Sequence, residues 1–153
     1  MPQASLSKPA TDLLQAYQST RYRVVGDGLE AEAMVGFASR GLDAVLLRHR
    51  AVAGVFITAW NPGSRPHPRP VNDAAQAELE HHLRRRGIRF LPHLGVGADP
   101  AWESERGVLA LDLPVAEALE LAVAFGQNAV VAVGLGEPAR LLLTDLMPVD
   151  PLP

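Results

Sequence analysis

Cysteine is missing from the sequence altogether. Its absence excludes disulfides, thiolate metal sites and a cysteine nucleophile together. Aromatic residues are scarce, at 5%, which leaves no run of rings on which nucleobases would stack. Long apolar runs are missing too. Runs such as Leu109 to Leu113 and Ala129 to Val133 are strand-sized, broken by Asp or Gly, and far short of the roughly 20 residues that span a bilayer. The opening stretch MPQASLSKPATD holds one lysine, Lys8, and no apolar segment, so it does not read as a signal peptide. Fourteen basic residues against 17 acidic ones give a formal charge of −3, with no global basic field for nucleic acid or an acidic membrane. These absences predict a cytoplasmic protein with neither a membrane nor a nucleic acid as partner; they say nothing of oligomeric state.

What is present is an ordinary globular composition, 48% hydrophobic and 20% charged over 153 residues. That length suits one domain, expected over residues 11–146, with 1–10 and 147–153 as flexible ends. Thr11 or Asp12 can cap a short helix from Leu13 to Ser19. TRYRVV (Thr20 to Val25) and the alternating Ala31, Ala33, Val35 and Phe37 read as two strands joined at Gly26-Asp27-Gly28 into a hairpin. Leu42, Val45, Leu46 and His49 have helical spacing. AGVFITAW (Ala53 to Trp60) reads as a buried central strand. Asn72 is a candidate N-cap for a helix to about Arg86, closed by Gly87. Strands are expected over Ile88 to Leu94, Val108 to Leu113, Asn128 to Val133 and Ala139 to Thr144. A helix opened by Pro114 and ended by Gly126 lies among them. The order α-ββ-α-β-α-ββ-α-ββ predicts an α+β or mixed α/β fold: a single mixed sheet with helices packed on it.

Polar groups collect at the ends of the apolar strands. Asn61-Pro62-Gly63-Ser64 has type II turn chemistry, with Pro presetting φ and Gly supplying φ > 0. It leaves the carboxyl end of the most buried strand, where ligands bind if the neighbouring strands are parallel. Arg65-Pro-His67-Pro-Arg69-Pro favours an extended arm, either a solvated loop or a grip for an anion. Gln127 and Asn128 place two amides beside apolar Phe125 and Ala129 to Val133, where they need partners if buried. His81-His82 and Arg84-Arg85-Arg86 read as a solvated helix end whose cations suit a helix C-terminus. The histidines form neither HxH nor HExxH, so no metal is expected. Gly95-Val-Gly97 lacks the context of a P-loop or dinucleotide fingerprint, and no cofactor is expected. Ser64 and Ser104 have no GxSxG context.

Three segments, ITAWNPGS (Ile57 to Ser64), AWESERGVLAL (Ala101 to Leu111) and FGQNAVV (Phe125 to Val131), join Ala16-Tyr17, Thr20 and Tyr22 in a resemblance. Together they resemble a bacterial family known only as a domain of unknown function, numbered 3293. The resemblance implies a small bacterial protein over about residues 12 to 143 and brings no activity with it. The residues themselves point to a binding module for a small polar or anionic ligand such as a nucleotide or phosphate metabolite. Its site would be built from Thr58, Asn61, Ser64, Arg65, Glu103 or Glu105, and Gln127 or Asn128. Two alternatives stand beside it. One is a small hydrolase-type enzyme using a Glu with His67 or His93 as acid and base. The other is a protein-interaction module without a ligand. The sequence further predicts that the ITAWNPGS turn and the FGQNA junction meet in space.

Overall fold

A computed structural model describes residues 8–26, 28 and 30–148. Among these residues four helices, α1 (Lys8–Ser19), α2 (Arg40–Arg48), α3 (Arg69–Arg85) and α4 (Val115–Ala124), accompany seven strands. The strands are β1 (Arg21–Val24), β2 (Ala31–Ala33), β3 (Ala53–Ile57), β4 (Phe90–Val96), β5 (Glu105–Leu111), β6 (Ala129–Gly134) and β7 (Arg140–Leu143). They form one sheet in the order β2-β1-β4-β5-β3-β6-β7, and the predicted α+β class and element order hold. Among the described residues every strand pairing is antiparallel, and parallel pairing is confined to the bridge between Val35 and Ala139. The rule placing ligands at the carboxyl ends of parallel strands therefore has no purchase here, and the site must be argued from its own geometry.

The sheet curls. The chain just beyond edge strand β2 meets the chain just before edge strand β7, with Gly36 N–H donating to the Ala139 carbonyl at 2.8 Å and Ala139 N–H to the Phe37 carbonyl at 3.0 Å. Alternation along the strands sorts side chains to the two faces. Val55, Ile57, Val108, Ala110 and Val130 face α3 and α4, where Leu79, Leu83, Ala118, Leu121 and Ala122 cover them. Full burial of Leu79 or Leu83 contributes roughly 1.5–3 kcal/mol each. Phe56, Leu109, Leu111, Val131 and Val133 face the concave side, where Leu42, Val45 and Leu46 of α2 pack on them.

Two helix starts differ from expectation. Helix α1 begins at Lys8 rather than near Leu13; Pro9 falls in the first turn, where its missing N–H costs nothing. Helix α3 begins at Arg69 with Pro68 at its N-cap position, so Asn72 is helical and buried and does not cap. Asp27 of the predicted turn and the ends 1–7 and 149–153 lie outside the described residues. Among the described residues, no helix is long and apolar enough to cross a membrane.

Candidate functional site

Helix α2 fills the concave face beside Ala31, Leu111 and Val133, the end of the sheet where β3 begins and β5 and β6 finish. At the opposite end, where β3 finishes, a cavity of about 560 Å³ opens under α1. Tyr22, Phe56 and His93 form an aromatic floor. The Phe56 and His93 ring centroids lie 5.0 Å apart edge to face, and those of Tyr22 and Phe56 lie 5.6 Å apart. Trp102, from the β4–β5 loop, and Tyr17 of α1 complete the aromatic lining.

The polar wall starts at Asn61. Its backbone is left-handed, with φ 48° and ψ 61°, a conformation Asn tolerates better than most residues. Ser64 N–H donates to the Asn61 carbonyl at 2.9 Å, and Gly63 sits at φ 69° and ψ 14°, as the third residue of a type II turn requires. Ser64 is left-handed as well, at φ 58°. Strained backbone of this kind persists where surrounding contacts over-determine it, and here they do. Asn61 N–H donates to Asn72 Oδ1 at 2.9 Å, while Asn72 Nδ2 donates to Asn61 Oδ1 at 2.8 Å. The His67 N–H donates to the same oxygen at 3.0 Å. A backbone N–H can only donate, so the amide orientation is fixed by its partners, and Asn61 Nδ2 is turned to Glu105 Oε1, 2.8 Å away.

Glu105 opens β5 opposite Gly95 and shares the concave face with Leu109 and Leu111, an even number of residues on. Burial raises its carboxyl pKa, and hydrogen bonds from Asn61 and Trp102 work against that shift. Tyr17 shares a 2.9 Å hydrogen bond with Ser64 Oγ, which also accepts from Asn128 Nδ2 at 3.3 Å. Burial raises the Tyr17 pKa, against the hydrogen bonds to Ser64 and Asn128, so the phenol stays protonated. His93 is buried, 4% exposed, with Nδ1 lacking a partner. Burial lowers its pKa to about 4 and a hydrogen bond to the Val108 backbone only partly opposes this, so the ring is neutral at physiological pH.

The ITAWNPGS turn and the FGQNA junction do meet. Gly63 N–H donates to the Gly126 carbonyl at 2.8 Å. Gln127 Nε2 donates to the Trp60 carbonyl at 3.0 Å across 67 residues of chain. Of the eight residues singled out, Thr58, Asn61, Ser64, Glu105 and Gln127 line the cavity. Asn128 reaches it through Ser64. Arg65 is exposed and away from the lining. Glu103 is exposed and paired with Arg69 at 3.6 Å. Tyr17, Tyr22, Phe56 and Trp102 also line the cavity and are not among those eight, although Tyr17, Tyr22 and Trp102 lie in the segments that carry the family resemblance. His67 Nδ1 lies 2.6 Å from the Arg65 carbonyl, and among the described residues no hydrogen bond joins Glu105 to His67 or His93.

Residues 57–130 match the family described as protein of unknown function (DUF3293), the family that the sequence resembles. The matched interval takes in ITAWNPGS, AWESERGVLAL and FGQNA and excludes Tyr17 and Tyr22. No curated protein and no solved structure matches the chain.

Proposed function

We propose that the protein binds a small polar ligand in the concave cavity beneath α1. One observation carries the reading: a cavity of about 560 Å³, within the few-hundred-Å³ range of small-molecule sites, sets a hydrogen-bonded polar wall at Asn61, Glu105, Ser64 and Tyr17 over an aromatic floor. Such a combination holds an apolar body by burial and orients a few polar atoms. The anionic ligand expected from the Arg65 to Arg69 arm is not favoured. Among the described residues neither Arg nor Lys lines the cavity, so a phosphate would find no cation there.

The acid–base alternative draws on Glu105, whose carboxyl is shifted upward, and on His93 in the same cavity. A neutral imidazole that does not bond the carboxyl gives that alternative less support than the binding reading has. Both readings are tested by a ligand-observed NMR screen of small polar compounds against the full chain and against Ala16→Trp, a helical position on the cavity wall. The binding reading expects saturable hits that Ala16→Trp abolishes while the variant stays folded. Hits that survive the obstruction, or no hits, contradict it; turnover of a hit favours the enzyme.

A further inference from the structure

This inference rests on the reading that the concave cavity takes a small ligand, and it names the ligand's class. We propose that the ligand is a small organic cation, a protonated amine whose nitrogen pairs with Glu105 and whose apolar body lies against Tyr22 and Phe56.

The sign of the wall comes first. Asp12, Asp99 and Glu105 line the cavity with no Arg or Lys among the described lining residues. A concave, partly desolvated wall of one sign focuses its field inward. His93 adds no positive charge, because burial holds it neutral. Its ring already bonds the Val108 backbone, and Nδ1 is left unpartnered.

The rings come second. The chain has two Trp, two Tyr and four Phe, and Tyr17, Tyr22, Phe56 and Trp102 all line this one cavity. Aromatic faces attract cations and, when desolvated, do so by about 2 kcal/mol; they give an anion nothing comparable.

The carboxylate is also held in place before any ligand arrives. Asn61 donates to Glu105 Oε1 at 2.8 Å, and Asn72 locks Asn61 through two hydrogen bonds. Burial disfavours the charge of Glu105, and a cation beside it is the group that offsets that cost. A metal ion fits less well than an amine. Among the described residues no three His, Asp or Glu side chains gather into a metal-ligating cluster.

Calorimetric titration of the full chain with phenethylamine, 2-phenylethanol and phenylacetate tests this, since the three probes share one ring and differ in head-group charge. Phenethylamine is expected to bind at least roughly tenfold tighter than either of the others, the worth of one charge-assisted hydrogen bond, and Glu105→Gln should erase that preference. Equal or tighter binding of the alcohol or the carboxylate overturns the amine while leaving the cavity reading standing. Saturable binding of none of the three overturns both. The wild-type selectivity decides the matter even if Glu105→Gln does not fold.

Discussion

Gly126 accepts a 2.8 Å hydrogen bond from the Gly63 amide while lying so close to Pro62 that a Cβ on Gly126 would come within 2.9 Å of the proline Cβ. This contact ties the Asn61 turn to the Gln127 junction. Gly126 also has φ +70°, so an L side chain there is strained and crowded at once. Gly126→Ala is expected to lower stability by about 2–4 kcal/mol, the sum of a left-handed alanine and an overpacked contact. Gly136 has φ +71° with open space around it, so Gly136→Ala should show the strain alone and cost less. Chemical denaturation of both variants checks the difference; equal losses would show that the Pro62 contact carries no energy.

Gly107 makes room for His93. A Cβ at Gly107 would lie 2.3 Å from His93 Cε1 and 2.7 Å from the Ile57 carbonyl oxygen. Gly107→Ala should therefore cost at least about 2 kcal/mol. His93→Ala removes one of the two obstacles, so the double variant should lose less than the two single losses added together. Strict additivity in the cycle would contradict the contact.

Stability should also depend on pH through His93. Burial lowers its folded pKa to about 4 from the ordinary 6.5. Between those values the unfolded chain binds the extra proton, so stability falls as pH drops through that window and levels off below it. The full effect is about 3 kcal/mol. Glu105, whose folded pKa is raised, acts in the opposite sense, binding its proton better when folded and costing stability as pH rises through that raised value. Replacing His93 by Leu should flatten the acid-side loss relative to the wild type. Parallel stability–pH curves for the two proteins would refute a neutral buried His93.

Asn72 anchors the polar wall from α3. In Asn72→Ala the Asn61 N–H loses its acceptor and Asn61 Oδ1 one of its donors, which should cost about 2–3 kcal/mol. The loosened Asn61 should donate less well to Glu105, and that bond holds the carboxyl pKa down. NMR titration of the Glu105 carboxyl should therefore move upward in the variant. A downward or absent shift would mean that Asn61 does not tune it.

Much of the fold was legible because its alternation is regular. Val55 and Ile57 against Phe56, and Val108 and Ala110 against Leu109 and Leu111, sort cleanly to two faces. The meeting of Asn61 with the Gln127 junction was legible for another reason: buried amides at strand ends need partners. Strand order was not. Nothing local to β5 says that it lies between β4 and β3, and that placement decides which rings share a cavity with Glu105. The choice between Glu103 and Glu105 depended on where β5 starts. With the strand beginning at Glu105, parity with Leu109 puts Glu105 on the concave face and leaves Glu103 in the loop. Asn72 looked like a helix cap by residue type, but a proline two residues earlier already occupies the first turn, and its amide serves Asn61 across the fold instead.

A crystal structure of the full chain soaked with the tightest-binding hit from the small-molecule screen tests the central claim most directly. The account predicts ligand density in the cavity under α1, with a polar atom of the ligand within hydrogen-bond distance of Glu105 and its apolar part against Tyr22 and Phe56. Density elsewhere on the molecule, with α1 closed onto Phe56 and no space left beside Glu105, would contradict it.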